Sequence, residues 1–215
     1  MNFIFNASGA NVPVIKEFDI ATSTSITAGA AVGLSSGLVV AASSASVILG
    51  VAAETHSGAA DLLNPRANGK KLRVIISPDA VYEAPFQTLT ASSTGTATTF
   101  VCAATNVSTS LAGGKLMLIS KGASSTNTDK PGTTRAISAC AISGTTATIT
   151  VASGGKACSG DVYALINDPG TEIYLDSTGK GGVFYNSASS VKLITALNDL
   201  DRGMTLVKLK APYLG

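Results

Sequence analysis

Few side chains in this 215-residue chain can do chemistry, and their spacing decides what they can do. The single histidine, His56, lies in Glu54-Thr55-His56-Ser57-Gly58, where a neighbouring carboxylate would suit a general base. Gly33-Leu34-Ser35-Ser36-Gly37 matches G-x-S-x-G, the pattern that presents a nucleophilic serine on a strained strand-to-helix turn. A strand signal, Leu38-Val39-Val40, follows instead of a helix, so Ser35 is expected in a hairpin turn and His56 in a solvated loop. The three cysteines, Cys102, Cys140 and Cys158, contain no C-x-x-C pair and fit neither a zinc site nor a disulfide framework. Residues 198–203 read like the opening of a calcium loop, but Lys210 stands where the closing glutamate belongs, so a turn with solvated carboxylates is expected. Gly154-Gly155-Lys156 lacks the first glycine of a phosphate-binding loop, and the carboxylates are scattered singly. No catalytic, cofactor-binding or metal-binding residue is assigned, and the expectation is a protein that is not an enzyme.

Composition points the same way. Fifteen Lys and Arg face thirteen Asp and Glu, and charged residues make up 13% of the chain, where roughly 25% is usual. Nucleic-acid binding by phosphate neutralisation is therefore not expected. Ala, Ser, Thr and Gly supply 103 of the 215 residues. Residues 20–53 carry no charge, but Ser and Gly break them into short apolar pieces that read as strands of a buried sheet, not as a membrane span. No secretory signal is read at the start, so folding in a reducing cytosol is expected.

These residues must be positioned by strands, because helix-period spacing is rare. Strand signals at 18–21, 37–41, 47–52, 71–77 and 81–86 make residues 1–86 a first β unit. Residues 87–170 read as a second, antiparallel β domain, most clearly in the alternation of Thr145-Thr146-Ala147-Thr148-Ile149-Thr150-Val151. Within it, the polar stretch 121–134 reads as a mobile surface excursion. After the turn signal Asp168-Pro169-Gly170, residues 171–215 are expected to pack back on the core with strands at 171–175, 182–185 and 204–210 and a short helix near 191–197. The expected fold is all-β, with a small barrel- or sandwich-like amino-terminal domain. Residues 64–71 and Arg73 gather positive charge at a turn leading into what reads as an edge strand.

Two stretches carry a resemblance. Val14-Ile15-Lys16-Glu17-Phe18-Asp19, Ser25-Ile26-Thr27-Ala28-Gly29, Val47-Ile48-Leu49-Gly50-Val51-Ala52-Ala53 and Leu72-Arg73-Val74-Ile75-Ile76-Ser77-Pro78-Asp79 together resemble the small β domain of tailed-bacteriophage head decoration, or cement, proteins. Ala30 departs from that pattern, since family members often carry an acidic residue there. Residues 113–119 and 160–166 are similar to β arrangements in phage head and tail-associated proteins. The resemblance implies a virion protein, made in the host bacterial cytoplasm, that binds the capsid exterior and stabilises the expanded head by bridging major capsid protein subunits. It implies a homotrimer, because such shells offer three-fold sites. The apolar arm Phe3, Ile4 and Phe5 and the basic residues Arg66, Lys70 and Lys71 are the expected contacts with the capsid or a neighbouring subunit. Two rival functions are a phage fibre or adhesin module that binds a host-surface glycan through residues 87–170, with Tyr163 and Phe100 as its aromatic side chains, and a small hydrolase built on Ser35 and His56.

Overall fold

The computed structural model describes residues 2–6, 12–20, 24–42, 47–57, 71–105, 107, 109–111, 113–175, 183–184 and 192–210. Strands in three antiparallel sheets account for nearly all the regular structure, with a 3-10 turn at Thr109–Leu111. The fold is all-β, as the alternation and β-branched runs dictate.

Five strands form the first sheet: β2 (Ile15–Asp19), β3 (Ala31–Ser35), β4 (Leu38–Ala41), β5 (Val47–Ala52) and β6 (Lys71–Ile75), in the order β2-β6-β5-β3-β4. Its two ends meet through a bridge between Ile20 and Val39, which rolls the sheet into a small barrel. Alternation then sends Ile20, Val32, Val39, Leu49, Leu72 and Val74 inward to one apolar core. β3 and β4 join through a two-residue turn with positive φ at Ser36 (51°) and Gly37 (81°), the geometry that matches the twist of the flanking strands. Gly50 is required by close approach: a Cβ there would sit 2.0 Å from the Ile75 carbonyl oxygen on β6.

Residues 87–166 supply the second sheet: β8 (Gln87–Thr90), β9 (Thr99–Ala103), β10 (Lys115–Ser120), β11 (Thr134–Ser143), β12 (Thr146–Val151) and β13 (Val162–Ile166). Their order is β8-β13-β10-β11-β12-β9. This sheet also closes, since Ala91 bridges to Cys102 and Ser92 N–H donates to the Val101 carbonyl at 2.9 Å. β11 serves both walls, pairing first with β10 and then, past a bulge between Ile137 and Ala139, with β12. Along β12, Ala147, Ile149 and Val151 face the core while the intervening threonines face outward.

The third sheet runs β1 (Asn2–Asn6), β7 (Ala80–Pro85), β17 (Met204–Leu209), β16 (Lys192–Asp199), β14 (Glu172–Leu175) and β15 (Val183–Phe184). Tyr82, Ala84, Val207, Leu193 and Ile173 share one apolar cluster with Ala31, Val51 and Ile75 from the first barrel and with the interior of the second. One continuous core thus spans all three sheets. The helix expected near 191–197 is instead β16, paired on both sides with β14 and β17.

Candidate functional site

The hydrolase residues are placed for structure. Ser35 ends β3 at the hairpin turn and continues into a strand, so it sits on no strand-to-helix elbow. His56 is not a solvated loop residue: it is 2% exposed, its backbone bridges to Ile26 in both directions, and its Nδ1 lies 2.8 Å from the Thr24 carbonyl oxygen. The apolar run before it carries the side chain inside. Residues 198–203 form the β16–β17 turn, where Asp199 accepts a hydrogen bond from Arg202 N–H and Gly203 takes positive φ.

The expected contact residues fall into two groups. Phe3 and Ile4 lie on β1, which pairs antiparallel with β7 of its own chain in the register Asn2 to Glu83, Phe3 to Tyr82, Phe5 to Val81 and Asn6 to Ala80, broken at Ile4. Phe3 packs edge-on against Tyr82 with ring centroids 6.3 Å apart. Burial pushes the Tyr82 phenol far up from its ordinary range, so it stays protonated. The Phe5 side chain, Arg66 and Lys70 lie outside the described residues. Lys71 is exposed on β6, but β6 runs between β2 and β5 and is not an edge. Register sets Lys71 opposite Asp19 and Arg73 opposite Glu17, and Glu54 accepts from both the backbone N–H and the guanidinium of Arg73. Carboxylates on neighbouring segments thus stand opposite Lys71 and Arg73, the two described members of the basic stretch.

Exposed apolar side chains occur on β1 and again from residue 12 to residue 15. Val12 is 76% exposed, Val14 53%, Ile15 43% and Ile4 37%, four of the ten exposed large hydrophobics among the described residues. A hollow of about 350 Å³ is lined by Phe3, Pro13, Ile15, Gly29, Val51 and Ile75, so Phe3 of β1 and Ile15 of β2 share one apolar depression.

A buried polar network in the second barrel has no counterpart in the sequence expectations. Asp161 is fully buried and accepts from Gly122 N–H (2.9 Å), the Asn127 side chain (2.9 Å) and Cys158 N–H (3.0 Å). Asn127 also donates to the Tyr163 hydroxyl at 2.7 Å and accepts from Asp129 N–H. Asp129 pairs with Arg135 and accepts from Gly155 N–H. Burial pushes the Asp161 carboxyl up, but the hydrogen bonds from Cys158, Asn127 and Gly122 outweigh it and hold it below the ordinary range. The stretch read as a mobile excursion is therefore pinned to the barrel through Asn127 and Asp129. The spacing Asn127-x-Asp129 and the pair Asp161-x-Tyr163 were the available signals, though nothing local shows that they meet. Every oxygen of Asp161 is committed to these donors, which suits anchoring rather than proton transfer.

Phe100 and Tyr163, the aromatic side chains a glycan site would use, are 1% and 3% exposed and pack edge-on inside the barrel at 4.9 Å. The three cysteines are free thiols, and burial, with a smaller contribution from Cys140, pushes Cys102 up to about 11. No described helix is long and apolar enough to cross a membrane. Compared with known protein families, curated proteins and solved structures, the chain matches none.

Proposed function

We propose that this protein is a structural virion protein that binds the outer surface of a tailed-bacteriophage capsid and stabilises the expanded head by bridging major capsid protein subunits, without catalysis and as a trimer. One observation carries the reading: two barrels close on themselves, while the third sheet keeps an open edge at β1, where Ile4 is exposed, as are Val12, Val14 and Ile15 later in the chain. Closed barrels have no terminal strand for unwanted pairing, so edge strands are confined to the third sheet, at β1 and β15. A protein that must sit on many equivalent sites of a shell benefits from that confinement. The near-neutral charge supports attachment through apolar and backbone contacts. The residue resemblance described above supports the same role.

Glycan binding has less behind it, since the aromatic side chains it would recruit are inside the second barrel. Sedimentation with undecorated expanded heads tests the proposal. Binding is expected to saturate and to change little between low and high salt, because apolar contacts are screened little. Detachment in moderate salt, or binding that never saturates, would count against it.

A further inference from the structure

β11 is an interior strand of the second sheet, ten residues long, yet its two sides are covered unequally. On one side β12 pairs with it from Ile137 to Ser143. On the other, β10 pairs only with Thr134, Arg135 and Ala136, and Ile137 then exchanges backbone hydrogen bonds with Gly113 and Gly114 at 3.0 and 2.8 Å. There the chain leaves the line of β10: Gly113 takes positive φ (92°), and Leu111 of the 3-10 turn is fully buried in the core. From Ala139 to Ser143, no described residue outside β12 hydrogen-bonds to the backbone of β11. One side of this stretch, about 17 Å of strand, is thus unpaired within the wall of the barrel.

Side-chain exposure marks the same gap. Cys140 stands opposite Ile149 and Ile142 opposite Ala147, so both share the face whose β12 members are fully buried. Ile142 is nonetheless 40% exposed and Cys140 half-buried, because no strand flanks them. Ala139, Ala141 and Ser143, on the other face, are exposed as well. Past the bulge the register with β12 is regular, and Ala139-Cys140-Ala141-Ile142-Ser143 holds neither charge nor proline. The side chains that usually blunt an open edge are missing from it.

From these observations we infer that Ala139–Ser143 is a strand-addition site: it takes an extended, uncharged peptide segment of a partner protein, laid antiparallel to β11 in line with β10. A row of unpaired N–H and C=O groups is matched by another extended backbone, and side chains at alternate positions set the preference. β12 shows which side chains suit this strand, with Ala147, Ile149 and Val151 turned to the core and threonines turned outward. An added segment of that kind would cover Ile142 and Cys140. The site stands apart from capsid binding, and its test contains no heads.

The probe is an acetylated, amidated peptide of the β12 sequence, Thr146–Val151, titrated into the full chain while hydrogen exchange is followed. Strand addition predicts saturable binding and slower exchange at alternate amides between Ala139 and Ser143, because the intervening ones already donate to β12. Of two such peptides N-methylated at every second residue in opposite phases, only one should bind, since only alternate N–H groups face β11. Ile142→Lys places a charge on the edge at an exposed position; it is expected to keep the Tm and to lose peptide binding. Equal binding of both N-methylated peptides overturns the inference, because the contact would then be apolar only. Failure of the unmodified peptide to bind overturns it too. If Ile142→Lys then also lowers the oligomeric state in sedimentation, the edge belongs to a second copy of this chain instead of a partner's segment.

Discussion

Asp161 stays charged in the interior because three donors converge on it from Gly122, Asn127 and Cys158. Asp161→Ala leaves those donors without an acceptor and is expected to cost about 2–4 kcal/mol, read as a lower midpoint in urea unfolding. Asp168→Ala, which removes an exposed partner of Lys115, should cost about 0–1 kcal/mol. Equal losses in the two variants would show that the network does not anchor the loop. Acid should act through the same groups. Hydrogen bonds from Lys210 and then Lys192 hold Glu172 down at about 2, against an ordinary 4.5, and Asp161 is also held low. A carboxylate depressed in the folded state stabilises fully above its unfolded value and loses that contribution as pH falls through its folded value. Tm is therefore expected to hold near neutrality and to fall between the ordinary carboxylate range and about 2 for Glu172, with a shallower fall in Glu172→Gln. A Tm that rises on acidification over that interval would contradict the assignment.

Gly50 governs how two strands of the first barrel meet. A methyl group there would press on the Ile75 carbonyl oxygen of β6, and β5 joins β6 only at Val51 to Ile75 and Ala52 to Val74. Gly50→Ala is expected to cost about 1–3 kcal/mol and to speed hydrogen exchange at those β5–β6 amides. Unchanged protection there would mean that the barrel has more slack than its geometry implies. Elements of this kind were legible in proportion to how regular their burial is. β12 could be read from Thr146 to Val151 because one face meets the core and the other meets water. β16 could not, because a bulge between Thr195 and Leu197 shifts the alternation and leaves Leu197 outward, so the apolar spacing mimics a helix. The 121–134 stretch misled through composition: Ser, Thr, Asn and Gly look like loop, while its main anchor, Asp161, lies 34 residues beyond Asn127 in the sequence. Lys71 looked like an edge residue because local sequence does not say that β2 covers its other side. Of the expected contact residues, Phe3 and Ile4 were named from hydrophobicity alone, whereas the exposure of Val12, Val14 and Ile15 required the structure.

Across the described residues, apolar alternation closes two sheets and leaves the third with edge strands at β1 and β15. His56 is buried with its backbone bridged to Ile26, and Asp161 and Tyr163 are joined through Asn127 within the second barrel. The most direct measurement is the heat resistance of purified expanded heads titrated with this protein, followed by the loss of intact shells on warming. Decoration predicts that the temperature of shell loss rises with added protein and reaches a plateau once the sites are filled. An unchanged shell-loss temperature at saturating protein would contradict the proposed cement role.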